Sequence, residues 1–272
     1  MAKSDLDCKS CRVIVGICRT PKRDSVMSTG PTQDEAALFD DISALAEKVW
    51  DISKEISGKI TDSKFISVVL FRRLRANHRG YAVLWHNGCQ TEGEIVVRAA
   101  VETAICIAAN FRIGDEFPRL MRRDAAATLQ GQIKLYREAG DTEMVKSSEA
   151  ALSYLQAGFA EGEKAVKLDW KSLAEAGGQP LLYNFHKMLS GLSSHVTGLS
   201  LIRGIGDAET EEMQAILHGM SKRNYFNMMA GATLHGTLIQ LGMIDDAGLA
   251  AEALSLVKRM DVLSMGWPGA ES

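Results

Sequence analysis

The sequence predicts an all-α protein, one multi-helix bundle of about seven to nine helices behind a flexible N-terminal tail. Three observations carry this reading. From Thr32 onwards apolar residues return every third or fourth position, the spacing that lines one face of a helix. Only 5 prolines and 6% aromatic residues accompany abundant Ala, Leu, Met, Glu and Lys, a balance that favours helices over strands. Apolar residues make up 46% of a 272-residue chain, enough to bury a sizeable core. Composition divides the chain into a tail over residues 1–31, a helical domain over 32–265 and a C-terminal tail over 266–272. No fixed-period repeat suggests a solenoid.

The net charge of −3 gives no general pull towards nucleic acid or acidic lipid, so an RNA or nucleotide partner would need a local basic patch. Val13-Ile14-Val15-Gly16-Ile17 is too short for a secretory signal. Arg98 and Glu102 interrupt the longest apolar run, which speaks against a membrane partner and for a cytoplasmic location. Five cysteines in such a chain are expected as thiols rather than a disulfide framework. Cys8-x-x-Cys11 has the spacing of half a zinc site, but no second pair follows, and ordinary tail thiols are the expectation.

Residues 32–58 read as a first helix: Asp34 and Glu35 suit its positive end, and Leu38, Ile42, Leu45, Val49 and Ile52 form its apolar stripe before Gly58. A second runs over 62–85, with Arg72, Arg73, Arg75 and Arg79 spread around several faces. Asn87-Gly88 turns the chain into a helix centred on 92–111, apolar except for Glu94, Arg98 and Glu102. These recur every fourth residue and stack as one ionic line. Such charges are costly to bury unless paired.

Further helices are predicted over 116–138, with Pro118 in the first turn, and from Asp141 through Phe159. Residues 167–178 form a connector carrying Trp170 and a short helical turn, 172–176. A long helix over 180–202 has a middle rich in Ser and Gly, residues that suit close approach by a neighbour or ligand rather than helix propensity. The last third reads as helices over 210–221, 224–241 and 247–262.

Three segments carry a resemblance: Arg98-x-x-x-Glu102, Trp170-Lys-Ser172-Leu173, and His186-Lys-Met-Leu-Ser190-Gly-Leu-Ser-Ser-His195-Val-Thr197. Over about residues 65–202 the chain resembles an uncharacterised bacterial all-helical family, a domain of unknown function. Its pattern is an Arg-x-x-x-Glu helix, a Trp-x-x-Ser-like connector and a Tyr-Arg-x-Leu-Ser-Gly-Asp-x-x-His-x-Thr helix. Arg98, Glu102, Ser190, His195 and Thr197 match; His186, Lys187, Leu192 and Val196 stand where the family has Tyr, Arg, Asp and Pro. The chain is more loosely similar to HEPN-type bundles of bacterial defence and toxin systems, which cleave RNA with an Arg-x4-6-His helix. Ser190 and Gly191 stand upstream of His195 at that spacing, and no Arg does.

The resemblance and the ionic line together mark Arg98, Glu102, Ser190, His195, Thr197 and Trp170 as the ligand-binding set. Arg98 and Glu102 form an internal ion pair in the structural reading; in the functional one Arg98 and His195 converge on an anion while Glu102 orients one of them. His195 is the catalytic candidate, as proton carrier, since imidazole titrates near neutrality. Ser190 lies five residues from His195, an offset that turns the two apart on a helix and argues against a serine hydrolase. His218 and His235 lack ligand spacing, so no metal is expected, and no cofactor. Met213, Met220, Met228, Met229 and Met243 suit adaptable packing, with a homodimer face as a further use.

The leading expectation is a bacterial helical protein that binds a partner or small anion at this junction, in defence or stress. Its alternatives are a HEPN-like metal-independent ribonuclease using His195 and Arg98, and a non-catalytic oligomerisation scaffold.

Overall fold

The computed structural model describes residues 30–191 and 211–265, with side chains in the second stretch described for 222–264. Among them are nine helices and no strand: α1 Gln33–Ser53, α2 Ser63–His86, α3 Gln90–Ile113, α4 Glu116–Ala139, α5 Thr142–Gln156, α6 Trp170–Ala176, α7 Pro180–Leu189, α8 Glu211–Ile244 and α9 Ala247–Met265. The all-α expectation holds. No described helix is long and apolar enough to cross a membrane.

Local chemistry sets several helix starts. Thr32 caps α1 in a reciprocal box: its hydroxyl accepts from the Glu35 amide at 3.2 Å, and Glu35 Oε2 accepts from the Thr32 amide at 2.7 Å. Asp62, Asp141 and Asp169 cap α2, α5 and α6 through their carboxylates. Pro180 opens α7, where its missing N–H costs nothing. Gly140 ends α4 in the left-handed region, φ 74°.

The apolar run that the sequence places at the centre is central in space. α3 packs against α2, α4, α6, α7 and α8. From Val97 to Ala109 it contributes Val97, Ala100, Val101, Ala104, Ile105, Ile107, Ala108 and Ala109 to the core. On its far side α8 also meets α1, α2 and α9. Phe39 of α1 sits where these meet, stacked on His78 at 4.1 Å and on Phe226 at 4.4 Å between ring centroids. Gly177, just past α6, lets that connector close onto α3: a Cβ there would fall 2.9 Å from the Ala109 backbone nitrogen. The α4–α5 hairpin stands at the edge, since α5 packs on α4 and buries only Ser148.

Several predicted boundaries change; α1, read as far as Gly58, ends at Ser53. The expected break between residues 221 and 224 is absent, and α8 runs unbroken for 34 residues. Lys222 and Arg223 are good helix formers with no Gly or Pro beside them. α7 ends at Leu189 and widens into a π-type turn at Ser190 and Gly191; the rest of the predicted helix lies outside the described residues.

Candidate functional site

The ionic line of α3 meets α7 at Glu102. Arg98 Nε lies 3.1 Å from Glu102 Oε1, one helical turn away, and His186 Nε2 of α7 lies 3.2 Å from the same oxygen. The His186 ring sits 5.2 Å from that of Trp170 and 6.1 Å from that of Tyr183. Arg98 and Glu102 keep about a fifth of their side chains exposed, whereas His186 keeps 8%. The Glu102 contacts are close but out of line for hydrogen bonds, and His186 Nδ1 has no hydrogen-bond partner among the described residues.

Burial holds the His186 imidazole below its ordinary pKa; Glu102 pulls the other way, and Arg98 and Lys187 add to the downward push. His186 is thus held towards the neutral form, leaving Glu102 balanced by Arg98. The cluster presents a guanidinium, a carboxylate, an imidazole and two aromatic faces at one helix junction.

Of the residues marked by the sequence, Arg98, Glu102 and Trp170 gather around His186. Ser190 lies one turn beyond, its hydroxyl donating to the His186 carbonyl at 2.7 Å, a bond within its own helix. His195 and Thr197 lie outside the described residues. Sequence reasoning noticed His186 only as a departure from the family pattern. A signal existed: Leu182, Phe185, His186 and Leu189 share the i, i+3, i+4, i+7 face that α7 buries, so a histidine occupies a core position.

A second polar centre was missed altogether. Glu35, 2% exposed, accepts from Arg223 Nε at 3.0 and 3.1 Å and from Asn227 Nδ2 at 2.8 Å, besides the Thr32 amide. It clasps the start of α1 to α8. A third buried polar group is His78, whose Nδ1 lies 2.9 Å from Thr233 Oγ1; burial pushes its pKa down to about 4. Arg75 pairs with Glu47 and lies 4.7 Å above the Trp50 ring.

Among the described residues no group of three His, Cys, Asp or Glu side chains could hold a metal. His235 lies buried within α8, Met228 and Met229 are core residues, and Met213, Met220 and His218 lie outside the described side chains. No family model, no curated protein and no solved structure matches the chain.

Proposed function

We propose that the protein is a helical binding module, of the bacterial kind its motifs resemble, that receives a small anionic group at the α3–α7 junction. The observation that carries this reading is that Glu102 is shared by Arg98 and His186 while both Arg98 and Glu102 remain partly open to solvent. An anion such as a phosphate could swing the guanidinium away from Glu102, and the carboxylate would keep His186 in place. Trp170 and Tyr183 would cover the apolar part of such a ligand, in the way small-molecule sites combine aromatic walls with few polar groups.

The scaffold reading draws on a different observation: Arg98 already has its counter-charge one turn away on its own helix. Thermal unfolding with inorganic phosphate, pyrophosphate, mononucleotides and a short RNA separates the two. Binding predicts that one of these raises the melting temperature; a ligand at 100 times its Kd adds about 2.7 kcal/mol. Arg98→Ala should abolish that rise. If none of the compounds stabilises the protein and Arg98→Ala merely lowers its melting temperature, the junction is glue.

A further inference from the structure

The segment between α5 and α6, residues 157–169, has no helix of its own and is fastened along one face of α4. Arg123 Nε donates to the Lys164 carbonyl at 2.9 Å, and the Val166 amide donates to the Arg123 carbonyl at 3.2 Å. The Leu168 amide donates to Asp124 Oδ1 at 2.9 Å, and the Lys167 ammonium donates to the Thr128 hydroxyl. Arg119 pairs with Glu163 at 3.0 Å, and Glu163 also accepts from the Ala160 amide at 2.6 Å. Unstructured connections of this length are uncommon in compact domains unless they serve a purpose. Here the fastened segment and α6 line an open hollow of about 320 Å³ against α4.

The lining is divided. Leu120, Val166, Leu168 and Leu173 supply an apolar floor and wall, while Arg123 and Lys167 stand at the hollow with no carboxylate partner within ion-pair distance among the described residues. The one carboxylate in the lining, Asp169, keeps its charge but is turned to the start of α6, where it accepts from the Lys171 and Ser172 amides at 3.4 and 3.0 Å and from the Ser172 hydroxyl. Two cations held in place by neutral oxygens, against one carboxylate in the lining and beside apolar walls, suit an anion with a hydrocarbon body. The volume is at the lower end for small-ligand sites, which favours a slender molecule.

We propose that this hollow binds a small amphiphilic carboxylate, its hydrocarbon over the leucines and its head between Arg123 and Lys167. The site shares no residue with the α3–α7 junction, so either assignment can fail without the other.

Decanoate is the probe, with decanol and decyltrimethylammonium as uncharged and cationic counterparts, followed by calorimetric titration of the full chain. The expected result is saturable one-to-one binding of decanoate alone. The Arg123→Gln/Lys167→Gln double variant, which keeps side-chain N–H donors at both positions, should weaken it by about tenfold or more. Val166→Glu, at a half-exposed position, sets a carboxylate in the wall and should abolish binding with the helical circular dichroism unchanged. It answers the question should the double variant fail to fold. No saturable binding, equal binding of decanol, or decanoate binding that survives these substitutions overturns the proposal.

Discussion

Glu35 and Glu102 each meet an arginine, and they differ in how completely they are satisfied. Glu35, between α1 and α8, has both oxygens filled by the Thr32 amide, Arg223 and Asn227 and almost no contact with solvent. Glu102, between α3 and α7, offers one oxygen to both Arg98 and His186, out of line with each, and a fifth of its side chain is open. A saturated, desolvated pair fixes one arrangement of helices, because every alternative strands a charge. An unsaturated, half-wet pair retains the capacity to exchange partners. The same residue types therefore serve as a clasp in one place and as a candidate receptor in the other.

The sharpest way to break this contrast is at the clasp. Glu35→Gln should destabilise the protein by about 3–5 kcal/mol, since it leaves Arg223, only 13% of whose side chain is exposed, without its counter-charge. Urea unfolding measures this, and a loss below about 1 kcal/mol would make the clasp ornamental.

Next in size is the pH response of His78, which packs on Phe39 beside the clasp. Its pKa in the folded protein is about 4 against an ordinary 6.5, so the unfolded chain binds the proton more readily. The folded state must then lose stability as pH falls from about 6.5 towards 4, by about 3 kcal/mol in all, and no further from this group below that. Unfolding free energies at pH 7 and pH 4.5 should converge in His78→Gln relative to the parent; an unchanged pH slope would refute the assignment.

The smallest effect belongs to the open junction. Glu102→Gln should cost about 1 kcal/mol or less, because Arg98 is on the same helix and partly hydrated and the His186 contact is out of line for a hydrogen bond. A cost matching that at Glu35 would erase the distinction and return the junction to a structural role.

How much of this was legible in the sequence follows from the range of each interaction. The Glu94, Arg98, Glu102 line was readable because helical pitch puts its members at fixed offsets, and the burial of α3 was readable from its unbroken run of Ile, Val and Ala. The clasp was not. Glu35 was understood only as an acid suited to a helix start, and Arg223 fell in a predicted break, since a pair 188 residues apart leaves no periodic trace. Trp170 could be marked from its motif, but the ring it meets, His186, required the geometry that Gly177 and Pro180 impose on the α6–α7 corner. His195 and Thr197, on which the catalytic expectation rested, lie outside the described residues.

The α4–α5 hairpin carries its own consequence. Because α5 leans on one neighbour and contributes a single serine to the interior, peeling it away sacrifices one seam rather than the cooperative heart of the molecule. Loss of α5 from its seam would therefore leave α3 and its five neighbours folded.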